Sequence, residues 1–519
     1  MFAFIDLASS ATYDVSSALA LSTFTGNCVI TIEGTSLFTT RGGTTFDGFS
    51  SFNMDSSSFV VNENDSVFRG DTTGVLVGSN FDVDGGNVYF ADNANVTVSA
   101  SSTFNVRSGN VYQNGSSIVT ASQNAVVDIL GSLSQDADST ILVDLNSDLL
   151  VSAGGSISSI GGSNVVASAS SAIEVDGGGA VLRDSAHWSV GSGSELSLLS
   201  SGSSYNQYGL STTSLSSSSF TVNGTVVLED GSEIFSASST TTVSLGLTAK
   251  HTTLVNVTDN SLFRVTEGNV LFCDFSEFYL DASSRFVVEG GSVIFKDDAS
   301  FSSEPGAEIE ISGSFIIQDS SCPTWDGVDF EVRGEFHLGD QTCLNILRSS
   351  IRVADGELAT FDDHNLVIVD SLLSIDIGSV LFTGTPASSV SFSNVTLSLL
   401  DGNFAVNETA TIDIVGSEID IQDGTVTFND FCDSTIIDTN VTVSGGDLLF
   451  QDDVYSTASG SNFLVDIGTV SLSSFANVSQ STSTFDINLG TLELTQDSTL
   501  ELVDSSLSLL ASLGDFTAT

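Results

Sequence analysis

The sequence has 519 residues, of which 65 are acidic and 11 are Lys or Arg, giving a formal net charge of -54. This charge repels nucleic-acid phosphates and anionic lipid headgroups, so it excludes nucleic acid and membrane surfaces as partners. No run of about 18 apolar residues is present that could cross a bilayer as a helix. Hydrophobic residues make up 40% of the chain, which predicts a packed core rather than a disordered Ser/Thr-rich polymer.

Taken in chain order, residues 1–40 have the least regular pattern, and we expect an N-terminal cap or an irregular first coil there. Further along, one glycine recurs about every 22 residues. A repeat of this length indicates a solenoid. The glycine column comprises Gly86, Gly109, Gly131, Gly155, Gly179, Gly202, Gly224, Gly246, Gly268, Gly291, Gly313, Gly334, Gly356, Gly378, Gly402, Gly424, Gly446, Gly468 and Gly490.

Each of these glycines lies between two short alternating segments, as in Phe286-Val-Val288 followed by Gly291-Ser-Val-Ile-Phe295. The consensus is Phe-x-Val-x-x-Gly-x-Val-x-Phe, and its period of two indicates β-strands. Two residues after the glycine, only Ser204 and Thr248 interrupt an aliphatic or aromatic column. The sequence therefore predicts an all-β fold, a right-handed parallel β-helix of about 22 residues per rung and roughly 20 rungs. We expect one continuous β-helix over residues 41–519.

The pattern remains repeat-like up to the last residues. Since uncovered strand edges at the end of a β-helix are normally capped, we expect that the native chain continues beyond residue 519 or that rods join end to end.

The repeat resembles the parallel β-helix repeats of secreted bacterial adhesins, including autotransporter passengers and the polymorphic outer-membrane protein family. That family has a Gly-Gly-x-aliphatic element followed by Phe-x-x-Asn, which is similar to Gly85-Gly-Asn-Val-Tyr-Phe90-Ala-Asp-Asn93 here. Gly290-Gly291 and Gly445-Gly446 repeat part of the element, and most rungs lack the Asn. The resemblance covers the architecture of most of the chain and not a shared export system, and it implies little about chemistry.

Six residues after the glycine lies a column of carboxylates, including Asp297, Asp319, Asp340 and Asp362. Carboxylates on neighbouring rungs would be near 5 Å apart and would favour a cation with several oxygen ligands. An Asp at this position also suits a turn, where its carboxylate caps local N–H groups. We predict no resident cofactor, with Ca²⁺ as the cation that the column would take.

Two features leave a carbohydrate-active enzyme open as an alternative. Paired carboxylates such as Asp297-Asp298 and Asp362-Asp363 would suit glycoside hydrolysis, but they share one repeat phase, which argues against a unique site. A second feature is a group of cationic and imidazole side chains near Trp325, Asp340 and Asp362, which chance and local charge compensation also explain. Its members are Arg333, His337, Arg348, Arg352 and His364. We predict no catalytic residues.

Cys322 and Cys343 both lie nine residues after their glycine, so we expect them on adjacent rungs as a disulfide, in an oxidising compartment. Cys28, Cys273 and Cys432 have no partner in phase and are expected as buried thiols. Asn-x-Ser/Thr sequons, about as many as chance gives, permit glycosylation. They are Asn64, Asn95, Asn114, Asn223, Asn256, Asn394, Asn407, Asn440 and Asn477.

Three residues after the glycine, at a position expected to face outward, apolar residues recur along the chain. A continuous apolar stripe would mark a lateral contact with another molecule, whereas a bend would turn the same residues inward. The interface candidates are Leu271, Ile294, Ile316, Leu381 and Leu449, with Leu182, Tyr205 and Val227 earlier in the chain.

Together these patterns predict an extracellular, non-catalytic, rod-like structural or adhesive protein. Its partners would be copies of itself, other surface proteins or glycans. The alternatives are a filament subunit that assembles end to end or laterally, and a carbohydrate-active β-helix enzyme.

Overall fold

The computed structural model describes residues 2–7, 10–15, 22–191, 193–509 and 516–518. The described chain is all-β, with parallel strands stacked as a β-solenoid of about 23 turns of roughly 22 residues, here called coils. This confirms the predicted solenoid and its repeat length. The chain forms two compact units, Met1–Thr266 and Glu267–Thr519.

Strands β1 to β30 belong to the first unit. In chain order they are Phe2–Leu7, Thr12–Val15, Ser22–Glu33, Leu37–Thr40, Thr44–Gly48, Ser51–Asp55, Ser58–Val61, Ser66–Phe68, Thr73–Val77, Asn80–Val83, Val88–Phe90, Asn95–Ser99, Thr103–Val106, Val111–Gln113, Ile118–Ala121, Val126–Ile129, Leu133–Gln135, Thr140–Val143, Asp148–Ser159, Asn164–Ala167, Ala172–Leu182, His187–Gly191, Glu195–Gln207, Thr212–Ser216, Ser219–Leu228, Glu233–Ala237, Thr240–Val243, Gly246–Ala249, Leu254–Thr258 and Leu262–Val265.

Strands β31 to β61 belong to the second unit. In chain order they are Val270–Phe272, Glu277–Leu280, Arg285–Val288, Val293–Phe295, Ser300–Ser303, Glu308–Ile311, Phe315–Ile317, Thr324–Asp326, Asp329–Val332, Phe336–Leu338, Thr342–Leu347, Ser350–Val353, Gly356–Thr360, His364–Val369, Leu372–Gly384, Ser389–Ser393, Thr396–Asp401, Phe404–Glu408, Thr411–Val415, Glu418–Asp423, Val426–Phe428, Asp433–Ile437, Asn440–Val443, Leu448–Phe450, Tyr455–Ser459, Asn462–Leu472, Asn477–Ser481, Thr484–Leu494, Thr499–Val503, Ser506–Leu509 and Phe516–Ala518.

A typical coil of the second unit contains three strands, for example β34, β35 and β36. Each pairs in parallel with the equivalent strand of the next coil, β34 with β37, β35 with β38 and β36 with β39. The consensus accounts for only two of the three strands. The middle strand β35 was missed because Phe301 is its only buried side chain, which leaves too short an apolar alternation. We call the face formed by β35 and its equivalents the middle face.

Glycines pack against backbone at one corner of the second unit. A Cβ added to Gly313 would lie 2.0 Å from the carbonyl oxygen of Gly291, and one added to Gly402 would lie 1.4 Å from that of Gly378. Any side chain there would overlap the preceding coil, so the column requires glycine for close approach of backbones. We call this column the glycine ladder.

In the first unit the glycine ladder shifts by one residue, and the predicted column was wrong at three positions. Gly178 rather than Gly179 lies against the carbonyl oxygen of Gly155. Ser203 rather than Gly202 pairs with Gly224. Leu245 rather than Gly246 follows Gly224 in the ladder, because the N–H of Leu245 donates to the Gly224 carbonyl and Gly246 pairs with Thr225.

The shift explains the two interruptions of the apolar column, Ser204 and Thr248. The inward residues in those coils are Tyr205 and Leu247, both fully buried. Irregular register in β21 and β23, where extra residues are accommodated, accounts for Ser204. Strands β27 and β28 pair with β25 without a register shift, and Thr248 is displaced because Gly246 lies one residue after the ladder position.

Residues 1–40, for which we predicted a cap or irregular first coil, contain strands that already pair as solenoid. Strand β1 pairs in parallel with β3, and β2 with β4. Tyr13 stacks on Phe38 with ring centroids 4.8 Å apart, so the stacked core extends to this coil.

The interior consists of side chains stacked on their equivalents in the next coil. In the second unit Phe428 stacks on Phe450 with centroids 5.1 Å apart. In the first unit Phe90 is followed in register by Gln113 and then Gln135, both buried. The Gln135 amide donates to the Gln113 side-chain oxygen at 3.1 Å, so amide hydrogen bonds replace ring stacking there.

Candidate interaction surfaces

The predicted carboxylate column lies at the corner that leads into the middle face. Asp297, Asp319, Asp340 and Asp362 have φ values of 54°, 55°, 42° and 57°, which lie in the left-handed region. Asp tolerates this conformation better than most residues, so the fold itself explains why the column is rich in Asp.

Backbone hydrogen bonds join these corners from coil to coil. The N–H of Asp298 donates to the Asp319 carbonyl at 3.3 Å, and the N–H of Ser320 donates to the Asp340 carbonyl at 3.3 Å. Among the described residues no group of three or more His, Cys, Asp or Glu side chains is arranged to hold a metal ion. Binding of Ca²⁺ at the column stays a prediction.

The cationic group near Trp325 does not converge on one site. Arg348 pairs with Asp326, whereas Arg352 pairs with Glu331 and with Asp376 at 2.6 Å. Trp325 itself is fully buried in the core. These arginines therefore compensate nearby carboxylates on different faces of the second unit.

His364 also lies apart from that group, because only 3% of it is exposed. Its Nδ1 lies 3.0 Å from the Asp362 carbonyl oxygen, to which a neutral ring can donate. Burial lowers the pKa of His364, partly opposed by the Asp362 carbonyl and the nearby carboxylates of Asp363 and Asp362. The ring is thus a neutral core residue of the corner.

Cys322 and Cys343 form a disulfide with an S–S distance of 2.00 Å and Cα atoms 4.5 Å apart. It lies across adjacent coils, where the sequence phase predicted it. Cys28, Cys273 and Cys432 are buried, and burial raises the pKa of the Cys432 thiol to about 12. A thiol with so high a pKa is a poor nucleophile.

Most predicted sequons are accessible. Asn223, Asn256 and Asn407 are half-buried. Asn394 is exposed, but its side-chain amide donates to Asp370 at 2.7 Å. The exposed sequons are Asn64, Asn95, Asn114, Asn394, Asn440 and Asn477.

The predicted interface stripe faces outward in the second unit, with half-buried side chains. Leu271 pairs with Ile294, and Ile294 with Ile316, over three consecutive coils. His337 follows Ile316, and Ala405 follows Leu381, so the apolar run ends. Leu449 lies beside Thr427. In the first unit the expected outward position was wrong for Leu182 and Tyr205, which are fully buried.

Sequence reasoning missed a ladder of buried hydroxyls that precedes the third strand of many coils. In the second unit the Ser349 hydroxyl accepts from the Val328 N–H at 3.1 Å and donates to the Leu347 carbonyl at 2.8 Å. The Ser349 N–H then donates to the Ser371 hydroxyl at 3.1 Å. We call this column the serine ladder. A Ser or Thr two residues before the first buried apolar residue of the third strand, as in Ser349-Ser-Ile351 and Ser371-Leu-Leu373, was the signal that could have found it.

The outer faces of the described chain lack long loops. Among connections whose residues are all described, the longest between strands runs from Gln318 to Pro323 and holds one half of the disulfide. One groove of ≈ 290 Å³ in the second unit is lined partly by Glu289, Glu310 and Arg333. It lies along the third strands of three coils, β33, β36 and β39.

Among the described residues there is no helix long and apolar enough to cross a membrane. Compared with known protein families, curated proteins and solved structures, the chain gives no match. The class of this protein is established by its fold alone, which is a parallel β-solenoid.

Proposed function

We propose that this protein is an extracellular, non-catalytic structural or adhesive solenoid. The observation that carries the proposal is the shortness of the strand connections, none longer than the segment from Gln318 to Pro323 where all residues are described. Enzyme sites are usually clefts walled by loops on a rigid scaffold. Flat faces built from repeated strands suit attachment instead.

Two features support the extracellular part of the proposal. The Cys322–Cys343 disulfide suits an oxidising compartment. Exposed sequons such as Asn95 and Asn477 are compatible with glycosylation on a secretory route.

The test combines an activity assay with electron microscopy. Purified protein is incubated with neutral and acidic polysaccharides, and new reducing ends are measured beside co-sedimentation with each polymer. We expect no new reducing ends. Sustained release would overturn the proposal in favour of a carbohydrate-active enzyme. Negative-stain images with Ca²⁺ and with EDTA then distinguish single particles from filaments.

A filament subunit is a second candidate, favoured by the register of Leu271, Ile294 and Ile316 over three coils. Leu271→Asp with Ile294→Asp should abolish self-association measured by sedimentation. Val287→Asp with Ser302→Asp adds the same charge at outward, half-buried positions of the two other faces and serves as the control. Unchanged association of the first variant would exclude this stripe as the contact.

A further inference from the structure

Basic residues are absent from the last third of the sequence. Arg352 is the final Lys or Arg, and residues 353–519 contain 25 Asp and Glu. Asp376 pairs with Arg352 at the edge of this region, but the region has no Lys or Arg of its own to pair with its other carboxylates. Such an uncompensated region attracts cationic partners over long range.

Three large aromatic side chains are exposed within this acidic region, in consecutive coils at one corner. Phe431, Tyr455 and Phe475 are 61%, 59% and 58% exposed. We call these three residues the aromatic corner. They lie where the chain enters the middle face.

Carboxylates alternate with these aromatic residues. Positions 431, 453 and 475 are equivalent, with φ values of 64°, 63° and 66°, and hold Phe, Asp and Phe. Two residues later, Tyr455 pairs in register with Asp433 in the coil before it and with Asn477 in the coil after it. Phe431 and Phe475 therefore both lie next to Asp453, and Tyr455 lies next to Asp433. Each of these neighbours is one strand spacing of about 4.8 Å away, in an adjacent coil.

The fold does not require aromatic residues here. The same corner position holds Asp298, Ser320 and Gln341 in other coils, also with positive φ. A bulky residue in the left-handed region is unfavourable, and such outliers concentrate at functional sites.

Exposed aromatic rings attract Lys and Arg through cation–π contacts, and carboxylates beside the rings pair with the same cations. A neutral polysaccharide could stack on the rings but would gain nothing from the alternating carboxylates or the regional charge. We infer that the aromatic corner, with Asp433 and Asp453, binds a Lys/Arg-rich polypeptide segment of a partner protein. This deepens the proposed adhesive function by naming the partner's chemistry, and it rests on that function.

The test uses full-length protein and fluorescein-labelled oligoarginine and oligolysine of about ten residues, with binding measured by anisotropy at several salt concentrations. Phe431→Gln with Phe475→Gln keeps the net charge and copies the residue found at Gln341. We expect about a tenfold rise in Kd. The matched control is Phe275→Gln, because Phe275 has φ 64° and 67% exposure but lies in a coil adjacent to Lys296.

A second pair of variants tests the carboxylates. Asp433→Asn with Asp453→Asn should weaken binding more than Asp420→Asn with Asp486→Asn, which removes the same charge from the third strands of their coils. Equal Kd values for wild type and the double Phe variant would overturn the inference and leave only general charge attraction. The inference would also be overturned if the double Phe variant lost binding to a neutral oligoglucan but still bound the peptides. Neither result affects the outcome of the polysaccharide-cleavage assay, so this inference can fail while the proposed non-catalytic function stands, and the reverse.

Discussion

At the scale of single residues, the glycine ladder leaves no room for a methyl group. Gly313→Ala would place Cβ 2.0 Å from the Gly291 carbonyl oxygen, although its φ is not in the left-handed region. The backbone of a paired strand cannot move aside cheaply, so we expect a loss of about 1–3 kcal/mol of stability. Urea unfolding monitored by tryptophan fluorescence measures this.

Gly339→Ala is the matched control for that change. Its added Cβ would meet only the His337 side chain at 3.4 Å, and its φ is also outside the left-handed region. We expect a change within about 0.5 kcal/mol. Equal losses in both variants would show that flexibility, not contact between coils, makes the glycines necessary.

His364 makes stability depend on pH at a single residue. Burial lowers its pKa in the folded state, so the unfolded chain binds the proton more readily. Its contribution is fully present above the unfolded pKa of about 6.5 and is lost as pH falls below that value. Thermal unfolding at about pH 7.5 and about pH 5.5 should show a smaller difference for His364→Thr than for wild type. The Thr copies Thr342, which pairs with His364 in the adjacent coil. Identical pH differences would refute a role for this ring.

At the scale of elements, the serine ladder joins corners through side chains. Ser349→Ala would leave the Val328 N–H buried without its acceptor, at a cost of about 1–3 kcal/mol. Ser276→Ala is the comparison, since the Ser276 hydroxyl is buried and has no hydrogen-bond partner among the described residues. Removing it should be neutral or slightly stabilising. The two variants are compared by their urea midpoints, and a reversed order would contradict the ladder's role.

The sequence predicts a strand where large apolar residues alternate with polar ones along it. The segment Gly291-Ser-Val-Ile-Phe295 predicts the strand Val293–Phe295. Cys322 and Cys343 occupy the same position in consecutive repeats, which predicts the disulfide between adjacent coils. The middle strand Ser300–Ser303 could not be recognised, because one apolar residue gives no period.

Register and surface function were harder to predict than strand position. Gly179 and Gly202 mark the wrong positions because a bulge moves the backbone by one residue without changing composition. The aromatic corner was overlooked because its residues occupy a turn position that the strand pattern does not include. Counting the basic residues after Arg352 would have drawn attention to it.

At the scale of the whole molecule, charge is distributed unevenly along the chain. Residues 353–519 have no Lys or Arg, so their mutual repulsion is relieved mainly by dissolved ions. Raising salt from about 0.02 M to about 0.3 M should slow amide hydrogen exchange more in peptides from 353–509 than in those from 22–191. Mass spectrometry resolves the two sets, and an equal gain in both would contradict this account.

The spacing of the glycine ladder also defines how such a gene can change length. A Cβ on Gly424 would meet Gly402 at 1.6 Å, and one on Gly446 would meet Gly424 at 1.7 Å, so the stretch 425–446 begins and ends at equivalent points. Tandem duplication or loss of that stretch by unequal recombination would keep every neighbouring contact in phase. Gly378 and Gly402 remain in phase although they are 24 residues apart, so only an insertion that the corners of a coil cannot absorb would place a glycine opposite a side chain. Homologous chains should therefore differ by whole coils, as cassettes, rather than by arbitrary insertions.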